Sequence, residues 1–277
     1  MVLRLNLLWK ELFLFSVSLF VGIFSAYGHV PVIEESILEP QVLSWSDTII
    51  YLTFFIVLSF IFLKFKKLSG FLLKIFLTLV VFSGSQIVFG SLVASPWDLA
   101  WALGITALFI FIHNVFIHNL AVLTGIAGVS SFIGISISPQ VGIFLLVILS
   151  FYDILAVYWT KHMVYLAQSM IESGAIFGFI IPFDIKDIFY HKNEAREKMG
   201  EKFMVLGSGD IGLPLIMAGS VAVISLGQAI IVSLFSLVGL FLTHLIFVNQ
   251  PTRKPMAALP PIATMTVIGY LVSSLIL

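Results

Sequence analysis

Long apolar runs broken by short polar connections dominate this chain. A helix needs about 20 mainly apolar residues to cross a bilayer's hydrocarbon core. Nine stretches meet or approach that length, at about 12–28, 48–63, 71–93, 97–112, 119–138, 140–160, 203–226, 228–248 and 257–277. The runs are continuous rather than alternating, which selects helices over a membrane barrel. Of the 277 residues, 60% are hydrophobic and 10% charged, whereas a soluble domain carries about a quarter of its residues as charged side chains. The expected fold class is therefore an all-α polytopic membrane protein with nine transmembrane helices, and the lipid bilayer is its first partner.

The basic residues orient the spans. Arg4 and Lys10 precede the first. Lys64, Lys66, Lys67 and Lys74 cluster between the second and third. Lys161, Lys186, Lys192, Arg196, Lys198 and Lys202 fall between the sixth and seventh, and Arg253 and Lys254 between the eighth and ninth. With nine spans all 14 lie on one side, while Glu34, Glu35, Glu39, Asp47 and Asp98 lie on the other. The positive-inside rule then predicts a cytoplasmic N-terminus and an outer C-terminus, in a multi-pass protein of the cell membrane. The first span, ending in Ala26-Tyr27-Gly28, also reads as a signal peptide with a small-residue cleavage site. Retention is the preferred reading, and removal would leave the downstream spans unchanged.

The chain reads as one polytopic domain over 1–277: spans one to six over about 12–160, a cytoplasmic connector over about 161–202, and spans seven to nine over about 203–277. The connector is expected to be solvated, with its mixed-charge centre from Asp184 to Lys198 helical or mobile. Fourteen basic residues balance fourteen acidic ones, so net charge points to no nucleic-acid partner. The absence of cysteine removes disulfides, thiol nucleophiles and cysteine-ligated metals. His113-Asn114 recurs as His118-Asn119, but an offset of five puts the imidazoles on different faces of a helix. A polar helix end at the membrane surface accounts for them better than a metal pair, and neither a metal nor another cofactor is expected.

Twelve of the 14 acidic residues read as loop or membrane-edge positions. Asp153, in Tyr152-Asp153, and Asp210, in Gly207-Ser208-Gly209-Asp210, do not. A carboxylate inside a bilayer costs several kcal/mol and is a functional candidate by default. Asp153 lies seven residues before Thr160 and Asp210 seven after Phe203. At 1.5 Å per residue, each is expected about 10 Å inside the cytoplasmic boundary. Sequential antiparallel spans would let the two face each other. Paired carboxylates share a proton, so one takes a proton from water while the other polarises a carbonyl, as in aspartic proteases. Gly207, Gly209, Gly212 and Pro214 loosen the backbone around Asp210, which a membrane tolerates where a water-filled cavity is lined. Phe203-Met204-Val205-Leu206 reads as a short extended run, an edge on which a substrate strand can pair. Further on, Pro255, Pro260 and Pro261 keep the start of the ninth span non-helical or kinked.

Together these residues resemble the presenilin and signal-peptide-peptidase family of intramembrane aspartyl proteases, whose motifs are Tyr-Asp, Gly-x-Gly-Asp and Pro-Ala-Leu in that order. Tyr152-Asp153 and Gly207 to Asp210 match the first two. The third is matched by Ala258-Leu259, followed by Pro260, with Ala257 where the first proline should stand. The resemblance implies a presenilin-like fold, Asp153 and Asp210 as the catalytic pair, and substrates that are transmembrane helices unwound for cleavage. It further implies support and substrate positioning by Tyr152, Gly207, Ser208, Gly209, Ala258, Leu259 and Pro260. The orientation is similar to that of presenilins, and the short connector implies a compact microbial homologue without accessory subunits, leaving open a homo-oligomer. The competing reading of the two acids is a channel or proton-coupled transporter. Its usual inverted repeats are not evident in the two halves of the sequence.

Overall fold

The computed structural model describes residues 5–35, 46–47, 49–51, 53, 66–250 and 255–276. Ten α-helices are numbered here: α1 (Leu5–Glu35), α2 (Lys66–Gly90), α3 (Trp97–Phe111), α4 (Val115–Ile135), α5 (Pro139–Ile154), α6 (His162–Ser173), α7 (Lys192–Glu197), α8 (Ser208–Ala222), α9 (Leu226–Val248) and α10 (Leu259–Ile276). A π-helical turn, Leu155–Trp159, extends α5, and a 3-10 turn covers Ile185–Phe189. Six of these helical segments are long and apolar enough to cross a membrane, while α3 and α8 are shorter apolar helices. The expected span at about 48–63 lies outside the described residues, apart from 49–51 and 53, which are helical.

Helix starts follow local chemistry. Asn114 caps α4 by accepting from the Ile117 amide at 2.8 Å, and Ser138 caps α5, whose first residue is Pro139. A side-chain oxygen at the cap satisfies an orphan amide, and proline lacks the amide that would be orphaned. Helix α1 starts at Leu5 rather than near residue 12, which takes Lys10 and Glu11 into the helix instead of ahead of it. The main core draws Phe15, Leu19 and Ala26 of α1 together with Ile211, Leu215 and Ala218 of α8 and Ile262 of α10.

Small residues permit the closest helix crossings. A Cβ added at Gly84 of α2 would overlap the backbone of Gly125 in α4, and one at Gly128 would overlap Gly84 in return. In lipid, helices attract through packing and short polar contacts rather than through the hydrophobic effect. The same crossing accordingly carries Ser85 bonded to Thr124 at 2.8 Å.

The connector departs from the all-helical, solvated expectation. It contains β1 (Gly178–Pro182), which pairs antiparallel with β2 (Phe203–Gly207) in the register Ile180↔Val205. Every residue of β1 is buried, and Ile176, Ile180, Ala195 and Phe203 form a second core against Val115. The apolar run Gly178-Phe-Ile-Ile-Pro182 therefore folds inward as a strand, while α6, which has no buried residue, and most of the mixed-charge part remain at the surface. There the Lys192 ammonium lies over the Phe109 ring, and burial, then Lys74 and Arg196, push its pKa down to about 8.

Helix α8 is short because β2 takes up the chain before it. Fifteen residues span about 22 Å, less than the roughly 30 Å hydrocarbon core. Ten of its residues are buried, so its neighbours, rather than lipid, surround most of it.

Candidate active site

Asp153 sits near the end of α5, directly before the π-helical turn. In that turn the Thr160 amide reaches back five residues to the Leu155 carbonyl at 2.9 Å. Such widened turns often mark functional positions, because they re-aim the flanking side chains. Asp210 is the third residue of α8, whose N-cap is Gly207. The expected seven helical residues before Asp210 are not there, since Phe203–Gly207 is a strand. Tertiary folding rather than equal helical depth brings the acids together. Asp153 and Asp210 lie within electrostatic range of each other, and both are half-buried.

Backbone amides surround the pair. The Leu259 amide donates to Asp153 Oδ2 at 3.2 Å, the neighbouring Ala258 amide also points at this carboxylate, and the Gly207 amide faces Asp210. Residues 255–258 are non-helical and α10 begins at Leu259, so the Leu259 amide sits at a helix start, where amides lack intrahelical acceptors and are available to a carboxylate. The segment is held from behind by Thr243 of α9, whose hydroxyl donates to the Ala258 carbonyl at 3.2 Å.

The glycines before Asp210 have different roles. A Cβ at Gly207 would stand 3.0 Å from Asp210 Oδ2, whereas one at Gly209 would meet nothing within 4 Å. Gly207 thus permits a close approach, and Gly209 borders open space. Ser208 opens α8 and donates its amide to the Phe177 carbonyl at 3.3 Å, joining the helix start to the residue before β1. Pro260 occupies the first turn of α10, a position proline tolerates.

Tyr152 has a partner that sequence reading missed. Its hydroxyl bonds to His162 Nε2 at 2.6 Å, and His162 Nδ1 bonds to Thr160 Oγ1 at 2.7 Å. Burial lowers the His162 pKa below the ordinary imidazole value. The three residues bracket the π-helical turn that follows Asp153. His113 and His118 do separate, but not through a helical offset, because His113 lies in the non-helical connection before α4: it stacks on His191 with ring centroids 6.0 Å apart, while His118 faces β1. Among the described residues, no group of three His, Asp or Glu side chains is placed to hold a metal ion.

Not all the other acids are edge residues. Glu11 is buried in α1, and its Oε2 accepts from His244 Nδ1 of α9 at 2.7 Å. The distant histidine, 233 positions along the chain, left no local signal by which to recognise the pair.

A family model described as signal-peptide peptidase, presenilin aspartyl protease matches residues 32–277. Two solved structures described as a presenilin family intramembrane aspartate protease are similar in fold. One, in the C222 space group, has a TM-score of 0.63 at 22% identity and covers 98% of each chain. The other, in the P2 space group, has a TM-score of 0.61 at 24% identity over 95% of this chain and 97% of that one. No curated protein matches the chain.

Proposed function

Because the chain belongs to the signal-peptide peptidase and presenilin aspartyl protease family, we propose that it hydrolyses peptide bonds within transmembrane helices of substrate proteins, with Asp153 and Asp210 as its catalytic pair. The observation that carries this reading is that Asp153 at the end of α5 and Asp210 at the start of α8 lie close enough to interact electrostatically. In the ground state one is ionised and the other protonated. The ionised carboxylate takes a proton from a water molecule as its oxygen attacks the scissile carbonyl carbon. The protonated carboxyl hydrogen-bonds to the carbonyl oxygen, on which negative charge grows. Proton transfer to the leaving nitrogen then breaks the C–N bond.

A transmembrane helix has its backbone hydrogen bonds closed internally, so its scissile carbonyl must first be freed. Pairing of an unwound segment on the edge of β2 would offer replacement partners, and β2 runs directly into Gly207 and Asp210. In this reading the N-terminus is cytoplasmic, nine helices cross the cell membrane, and the connector bearing β1 lies on the cytoplasmic side.

The test is incubation of purified protein with a model transmembrane peptide, with products read by mass spectrometry. Wild type should cleave, and Asp153→Asn and Asp210→Asn should each lose at least about 1,000-fold in rate while remaining folded, because the acid and base act as a unit. Appreciable cleavage by both variants would remove the aspartyl mechanism.

A further inference from the structure

Strand β1 has two edges, and β2 takes only one. The other is covered by side chains from two membrane helices. Asn119 of α4 donates through Nδ2 to the Ile180 carbonyl at 2.8 Å and accepts at Oδ1 from the Ile180 amide, also at 2.8 Å. His118 Nε2 donates to the Gly178 carbonyl at 3.0 Å. Lys10 of α1 donates to the carbonyls of Pro182 at 2.9 Å and Phe183 at 2.7 Å. The primary amide of Asn119 reproduces the donor and acceptor pair of a neighbouring strand. In an antiparallel sheet, backbone groups of alternate residues point to opposite edges. Gly178, Ile180 and Pro182 therefore face the helices, while Phe179 and Ile181 face β2.

This clamp determines where the little sheet sits. Both Asn119 bonds are made to one residue, so sliding β1 by even one position would break both. His118 and Asn119 are buried, and an unpaired amide or imidazole there would carry its full desolvation cost. Gly178 adds a second constraint, because a Cβ there would overlap the Leu206 carbonyl oxygen. The position of β1 passes to β2 through the paired residues from Gly178↔Gly207 to Pro182↔Phe203. The residue after β2 opens α8, two positions before Asp210.

We infer that Asn119, with His118 and Lys10, is a positioning residue that selects which peptide bond is cut, by fixing the register of β1 and β2 against the carboxylates. The clamp also leaves β2 as the accepting edge. Among the described residues β2 has no second strand neighbour, and its further pairing is the single bridge Met199↔Phe203. The inference rests on the proteolytic reading and goes beyond it, since hydrolysis itself does not need the clamp.

The experiment compares products of wild type, Asn119→Ala and Lys10→Met on one transmembrane peptide, with fragment ratios read by mass spectrometry. Glu11→Gln, which disturbs α1 without touching β1, serves as the control at matched thermal stability. A substrate strand that slips while keeping both its hydrogen-bonding and its side-chain facing moves by an even number of residues. The clamp variants should therefore raise cuts two residues from the dominant bond at least about three-fold, whereas the control should lower total rate without changing the ratios. If Asn119→Ala does not fold, Lys10→Met decides, because it removes only the bonds at the end of β1. Unchanged ratios in a folded clamp variant would overturn the inference. Failure of wild type to cleave would instead remove the proteolytic reading beneath it.

Discussion

The Leu259 amide is a small group with a large responsibility. It reaches the Asp153 carboxylate because the chain is non-helical from 255 to Ala258 and then turns into α10. Proline at 259 would delete this donor, whereas alanine would keep it and lose only side-chain packing. Leu259→Pro should reduce cleavage about 100-fold or more, the typical effect of removing one catalytic hydrogen-bond donor. Leu259→Ala should lose about 2–5 kcal/mol of stability through its vacated core site but retain more activity per folded molecule. A rate comparison normalised to folded protein checks this, and equal rates for the two variants would deny the amide its role. Ala257 marks the departure from the family's proline. Since 257 lies in the non-helical stretch, Ala257→Pro should be tolerated, whereas Pro260→Ala should lower activity by letting the segment relax.

Between elements, the buried pair of Glu11 and His244 ties α1 to α9. Breaking a buried pair by removing one partner typically costs about 3–5 kcal/mol, because the other is left without compensation. Glu11→Leu and His244→Leu should therefore each lower the thermal unfolding temperature in detergent more than the double variant does. A double-mutant cycle reads the coupling directly, and strict additivity would show that the two groups stabilise independently. The Gly84, Gly125 and Gly128 crossing acts differently, through the absence of atoms. There is no side chain to trim, so substitution must push α2 away from α4.

For the whole molecule, the lack of cysteine makes the proposed orientation directly testable. Ser95, in the exposed connection before α3, and Asn193, on the exposed side of α7, are described surface positions. With a cytoplasmic N-terminus, Ser95→Cys should react with an impermeant thiol reagent added to intact cells. Asn193→Cys should react only after the membrane is opened. Labelling of Asn193→Cys from outside would reverse the proposed orientation.

Sequence alone determined that this chain is a bundle of apolar helices, because run length and the scarcity of charge are one-dimensional properties. It also singled out Asp153 and Asp210, since a carboxylate inside such a run stands out without knowledge of its neighbours. The extended character of 203–206 was legible for the same reason. Only the tertiary structure decided who meets whom. It paired Tyr152 with His162, Glu11 with His244 and Ile180 with Asn119, and it drew the middle of an apparently solvated connector into a buried strand. A hydrogen bond between residues 61 or 233 positions apart imposes no period and no local composition. Its partners become visible only when packing places them within about 3 Å.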